Sequence, residues 1–398
     1  MHIAWVHDAA LLRGGAERYM HDTAPLLRER GVRSTLLYDV GLPSSTAMLG
    51  AFDGAFPALD LLRQLNELQP DVVYAHQISR PAVLETLARS PAPVFRFLHD
   101  HRLFCLREHK YTTIGHRTCE RTVGLGCYPC LGFVSRGAGA LGIRLVSVGM
   151  LRREQRRHDA FHGFVVASSY MADHVAAHGF DRARIHVVPL YAEVPDEESP
   201  PTRERDLLLF VGGLVRGKGL DVLLDALPLS RQAPRLTVVG DGRQAESLRR
   251  QAAALVPPSR VTFLGRQPPG VLAEWFRRAA CVVVPSRSPE TFGLAGLEAM
   301  SHGTPVIATD VGGIREWLVP GETGLAVPPN DPRRLAAAID QLLADPYLGD
   351  LMGRRGRTRH RATFLPEHHV DRLLELFRAA RPPCAHEHAR AVRRLDAR

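Results

Sequence analysis

The chain has 398 residues, of which 45% are hydrophobic and 23% charged, ordinary globular values that exclude wholesale disorder and a fibrous protein. Lys and Arg number 51 against 42 Asp and Glu, a net charge of +9, which permits an anionic partner without naming one. Six cysteines are too few for a disulfide scaffold, and at roughly 150 residues per domain the length suggests two or three domains.

The opening residues MHIAWVHD predict a strand. A secretory signal would need a cationic start and a longer apolar stretch. A Gly14-Gly15 turn and a helical pattern to about residue 30 follow. Further strands are expected at 35–38, 72–75, 94–98, 164–167 and 185–188. Residues 192–206, rich in Pro and acid, predict a linker. Alternation restarts with strands at 207–211, 236–239, 261–264, 281–284, 306–309 and 325–327. Strands alternating with helices indicate doubly wound parallel sheets. The expected domains are therefore 1–191 and 207–365, two Rossmann-like halves. A last helix is expected at 366–380, and a basic tail at 381–398, with five arginines against two acids, is expected to be disordered. A solvated terminus outweighs nucleic-acid binding there. No run of about 18 apolar residues occurs, so no membrane span is expected; the default location is the cytoplasm.

In such sheets ligands bind beyond the carboxyl ends of the strands. Three segments lie there. Gly14-Gly15-Ala16-Glu17-Arg18 joins a strand to a helix start whose N–H groups suit a phosphate; the alternative is a simple turn, and the GxGxxG spacing of dinucleotide sites is missing. Residues 212–219, GGLVRGKG, place Arg216 and Lys218 in a glycine-rich loop that could neutralise a departing diphosphate; a solvated basic turn is the alternative, and the loop does not fit a Walker A pattern. Residues 285–299, PSRSPETFGLAGLEA, put Glu290 in a loop and Glu298 about two turns inside a helix starting near Gly293. The N–H groups of Phe292, Gly293 and Leu294 would be free donors at that helix start. Donors for phosphate and carboxylates for sugar hydroxyls suit a nucleotide sugar; two surface glutamates are the alternative.

The segment PETFGLAGLEAMSHGTPVIATDVGGIREWLVPGETGLAVPPND resembles the signature region of glycosyltransferase family 4, the retaining enzymes of the GT-B fold. Glu290, seven residues and Glu298 match its paired glutamates, and the likeness extends through Gly303, Pro305, Gly312-Gly313, Glu316 and Gly324. GGAER resembles the family's N-terminal glycine loop, FVGGLVRGKGLDVLLDAL its cation loop, and RFLHD the segment bearing its active-site histidine, here His99. The resemblance covers most of residues 1–380. It departs at Gly213, where the family commonly carries arginine; Arg216 is the expected substitute.

The resemblance implies two Rossmann-like domains facing each other across a cleft, with a C-terminal helix crossing back. It implies sugar transfer from a nucleotide-sugar donor, a UDP- or GDP-sugar, to a carbohydrate or lipid-linked acceptor hydroxyl with retention of configuration. Lys218, helped by Arg216, would stabilise the donor diphosphate, and Gly14 and Gly15 would allow close approach. Glu290 and His99 would contact the transferred sugar and Glu298 the ribose. No catalytic divalent metal is expected. Rival functions are a GT-B epimerase or phosphorylase, and a zinc-containing binding protein without catalysis.

Two further features stand apart. His7 and His76 also end strands, where a structural role is the commoner one. Cys105, Cys119, Cys127 and Cys130 are spaced C-x13-C-x7-C-x2-C, which suits a tetrahedral zinc site; free thiols and disulfides are the alternatives. The cluster predicts an insertion over about 105–130, a lid or acceptor wall. Residues 141–157 mix apolar residues with five arginines, a pattern for peripheral contact with the anionic inner face of a membrane or for a helix packed on the sheet.

Overall fold

The computed structural model describes residues 1–12, 14–39, 41, 44–130, 134–136, 143–194 and 203–380. Most of the expected linker and the whole basic tail, with Cys384, lie outside the described residues. In chain order the strands are β1 (His2–His7), β2 (Arg33–Tyr38), β3 (Gly54–Pro57), β4 (Val72–Ala75), β5 (Val94–Phe97), β6 (Val134–Arg136), β7 (Ile143–Leu145), β8 (Gly163–Val166), β9 (Ile185–Val187), β10 (Glu204–Val211), β11 (Arg235–Val239), β12 (Val261–Gly265), β13 (Ala279–Val284), β14 (Val306–Thr309) and β15 (Gly324–Val327).

Two compact units form. The first comprises Met1–Phe97, Arg157–Val165 and the chain from Val370; the second comprises Leu98–Arg156 and Val166–His369. In the first, parallel strands follow the order β3-β2-β1-β4-β5-β8. The core of this unit is aromatic. Trp5 stacks on His76 with centroids 5.1 Å apart, and the hydroxyls of Tyr19 and Tyr74 lie 3.0 Å apart. His76 is thus a core ring, the structural role expected of it. The last helix, Pro366–Ala379, sends Phe377 against Tyr74 and Phe95, at 5.0 and 5.3 Å between centroids.

The second unit is built on a parallel sheet of order β12-β11-β10-β13-β14-β15. Its central strands are buried on both faces and therefore read as apolar runs, LLLFV in β10 and AACVVV in β13. Leu208, Phe210, Val283 and Ile307 pack with helix residues Leu223, Leu335 and Ile339 in one core. Cys281 belongs to it, and burial pushes its thiol pKa up to about 12. Asp331 caps the helix Pro332–Ala344, accepting from the Arg334 N–H at 3.0 Å, as the Asp-Pro pair predicts. β10 has β11 on one side and β13 on the other, so the strand order reverses there. The carboxyl ends of β10 and β13 are the topological switch point where ligands bind in open α/β sheets.

The short strand β3 and the antiparallel pair β6–β7 were not expected from the sequence. Both are too brief to show a periodic apolar pattern. No helix among the described residues is long and apolar enough to cross a membrane.

Candidate active site

Two loops leave the switch point of the second sheet. The first, after β10, turns through the short helix Arg216–Lys218 into Gly219. Gly219 has φ 69°, and an added Cβ would lie 1.9 Å from the Pro285 carbonyl oxygen. Only glycine permits that approach, and the approach brings the loop after β10 onto the loop after β13. Lys218 consequently reaches Glu290: its ammonium donates to both carboxylate oxygens, at 2.8 and 2.9 Å. The Ser286 hydroxyl donates to the same carboxylate at 2.5 Å. Burial alone would raise the Glu290 pKa, but the Lys218 charge and hydrogen bonds outweigh it and hold the carboxyl below its ordinary range. Glu290 is therefore ionised at neutral pH. A small cavity opens beside the pair, lined by Phe210, Lys218, Ser286, Glu290, Gly293 and Leu294 among others. The Lys218 side chain stays 39% exposed, so it has an open side.

Gly293 caps the helix Leu294–Ser301 from the left-handed region at φ 93°. An added Cβ there would meet Ile314 at 2.8 Å. Phe292 is buried, and its carbonyl accepts from the Trp317 indole at 2.7 Å. Glu298 lies within this helix and is half-buried. His99 belongs to the same unit, and its carbonyl accepts from the Thr291 hydroxyl at 3.1 Å. Lys218, Glu290 and the Phe292–Leu294 helix start are thus brought together, with the His99 backbone tied to the residue after Glu290. Arg216 is exposed and turns to His116, Nη1 to Nε2 2.7 Å.

Gly14 and Gly15 sit in the first unit. The Gly14 N–H donates to the Glu17 carboxylate at 2.9 Å and caps the helix Gly15–Glu29. His7 Nε2 lies 3.4 Å from the other Glu17 oxygen. A Cβ at Gly15 would meet nothing within 4 Å.

Several polar residues of the site were not assigned from the sequence. Arg287 is 4% exposed, grips Asp221 with two bonds of 2.9 Å, and donates to Asn330 at 2.8 Å and the Arg216 carbonyl at 2.6 Å. His101 Nε2 lies 2.9 Å from the Pro289 carbonyl, and burial above all lowers its pKa. Ser286, Arg287 and Asn330 were visible inside the quoted segments but given no role; His101 carries no local signal.

No zinc site is shown for the four-cysteine segment among the described residues. Cys105, Cys119, Cys127 and Cys130 are free, half-buried thiols, and among the described residues no group of three or more His, Cys, Asp or Glu is placed to hold an ion. Lys110 is 1% exposed, donates to the Arg121 carbonyl, and has Cys119, Cys105 and Cys127 within electrostatic reach. Leu106, Val123 and Leu151 form a small core of their own, so the helix Val148–Arg157 packs on this segment by Leu151.

A family model described as glycosyl transferases group 1 matches residues 195–359, and one described as glycosyltransferase family 4 matches residues 13–190. A D-inositol 3-phosphate glycosyltransferase of Frankia alni is 44% identical over 157 residues, 36% of this chain and 38% of that protein. The enzyme of the same name from Segniliparus rotundus is 36% identical over 267 residues, 63% of this chain and 58% of that protein. The chain thus spans about half the length of the curated relatives it matches. Among solved structures, Anabaena Alr3699/HepE in complex with UDP and glucose has TM-score 0.72 at 18% identity, covering 95% of this chain and 100% of that one. Sucrose-phosphate synthase from Thermosynechococcus elongatus has TM-score 0.66 at 22% identity, covering 95% and 98%. The fold shared with these structures is GT-B, two Rossmann-like domains.

Proposed function

The chain belongs to glycosyltransferase family 4, and from that premise we propose that it transfers a sugar, with retention of configuration, from a nucleoside diphosphate sugar to an acceptor hydroxyl. The observation that carries this reading is the Lys218–Glu290 pair at the switch point of the second sheet. Lys218, with Arg216, takes the donor diphosphate. The ammonium is held by Glu290 on one side and open on the other, so it meets the leaving group without reorganising. Preorganised charge of this kind acts on the transition state more than on the ground state. The ionised Glu290 and His99 face the transferred sugar, the N–H groups from Phe292 to Leu294 assist at the phosphate, and Glu298 takes the ribose. The bond from the anomeric carbon to the diphosphate breaks as the acceptor oxygen bonds on the same face. The bonding pair leaves with the diphosphate, and the acceptor proton passes to it.

Alr3699/HepE is a complex with UDP and, in other crystals, with UDP-glucose, which supports a UDP-sugar as the first donor to try. The acceptor is a carbohydrate or a lipid-linked one. Contact with an anionic membrane face is part of the proposal: Leu125, Leu145 and Met150 are 65–83% exposed, beside the arginines of the helix Val148–Arg157. Apolar and cationic side chains on one surface favour such binding.

The test is a thermal-shift panel of UDP, GDP, ADP and their sugars, followed by turnover with and without acceptors. One nucleotide class should stabilise the protein by mass action. Stabilisation by none would remove the donor assignment, and sugar interconversion without acceptor would favour an epimerase. Vesicles with and without anionic lipid test the membrane contact by co-sedimentation.

A further inference from the structure

The segment bearing the four cysteines lies in the same unit as Lys218 and Glu290 and ties itself to three loops of the site. The Thr118 hydroxyl donates to the Arg287 carbonyl at 3.0 Å. Asn330 Nδ2 donates to the His116 carbonyl at 3.1 Å, and Arg216 Nη1 meets His116 Nε2 at 2.7 Å.

The last contact has only one chemical form. A guanidinium has donors and no acceptor. His116 must therefore accept through an unprotonated Nε2, and its ring is neutral. Burial first, then the charges of Arg216 and Arg287, lower its pKa; the Thr112 backbone bond and Asp221 act the other way. The neighbouring cations differ in what they face. Arg287 is neutralised by Asp221. Arg216 has no carboxylate partner among the described residues, and its hydrogen bond to His116 leaves the charge intact.

We propose that His116 is a positioning residue for Arg216: a neutral acceptor from the cysteine-bearing segment holds the guanidinium in one orientation without neutralising it, ready for a nucleoside diphosphate. The inference rests on the reading of Arg216 as a diphosphate ligand. It also gives that segment a role at the donor rather than only at the acceptor.

Backbone geometry supplies a discriminating test. His116 has φ 47°, in the left-handed region, where Asn is tolerated better than Gln. Gln, however, places its oxygen near the Nε2 position, and Asn does not reach it. UDP, GDP and ADP are titrated calorimetrically into wild type, Arg216→Ala, His116→Gln, His116→Asn and the Arg216→Ala/His116→Asn double variant. Arg216→Ala should weaken the diphosphate that wild type binds by about tenfold, the worth of a charge-assisted bond. His116→Asn should weaken it by about threefold to tenfold. His116→Gln should stay within about twofold of wild type, and the double variant within about twofold of Arg216→Ala. Binding by the Asn variant equal to or tighter than the Gln variant would mean a backbone role only and overturn the inference. Normal binding by Arg216→Ala would instead remove Arg216 as a diphosphate ligand, and the positioning role with it.

Discussion

The two units each place a glycine loop after a strand that has neighbours on both sides, β1 in the first sheet and β10 in the second. Among the described residues, only the second of these loops is left with unspent charge. In the first unit the Gly14 N–H is already satisfied by Glu17. That carboxyl is held below its ordinary pKa: burial would raise it, but the hydrogen bond and charge of His7 and the backbone bonds outweigh that. An ionised acid sits at the helix start where an anion would bind. In the second unit the loop carries Lys218 and Arg216 and no acid of its own, and its counter-charge comes from Glu290 on the next loop. Glycines make close approach possible in both, but among the described residues Arg216, a cation with no carboxylate partner, sets the second loop apart. A glycine pair is thus a permission, and the accounting of N–H groups and charges decides what it admits.

The comparison breaks first at Lys218. Lys218→Ala should lower turnover at saturating donor by about a hundredfold, the scale for losing one charge stabiliser in a preorganised site. Steady-state kinetics checks it; a change below about threefold would return the second loop to the status of the first.

The two glutamates sharpen the account of the second loop. Glu290→Gln should act mainly on kcat, by roughly tenfold or more, because positive charge develops at the sugar beside it. Glu298→Gln should act mainly on KM, because a ribose contact is much the same in ground and transition states. Free diphosphate affinity should fall more for the Glu298 variant. The reverse order would exchange the two roles.

Glu290 also leaves a mark on acid stability. Its folded pKa is below the unfolded value, so its contribution is present above the ordinary carboxylate range and is lost as pH falls through the depressed folded value. Denaturant titrations below neutral pH should therefore show a steeper acid loss in wild type than in Glu290→Gln. Equal slopes would mean that the carboxylate is not held by Lys218 in solution.

The smallest effect is expected at Gly15. A Cβ there meets nothing, so Gly15→Ala should change stability by less than about 0.5 kcal/mol. If the first loop nonetheless closes on a phosphate, kcat/KM should drop severalfold while the melting midpoint holds. An unchanged kcat/KM would confine phosphate binding to the second unit.

Much of this architecture is legible in the sequence because it is repetitive. Buried parallel strands are bare apolar runs, and the caps at Gly293 and Asp331 are local. Glu290 and Lys218 could be named because each sits in a motif at a strand end. What the sequence hid is relational. Arg287 lies inside the quoted motif, yet its partners Asp221 and Asn330 are 66 and 43 residues away. The spacing of the cysteines does not place Lys110, which is buried with Cys119, Cys105 and Cys127 within electrostatic reach. His116 sits in a turn with no pattern, and only the fold brings it to Arg216.

The central claim is that the loop after β10 binds the diphosphate of the donor through Lys218. Calorimetric titration of UDP, GDP and ADP into wild type and Lys218→Ala tests it most directly. The account predicts one site per chain for one of the three, weakened at least about tenfold in the variant. No binding of any diphosphate to wild type, or equal affinity in the two proteins, would contradict it.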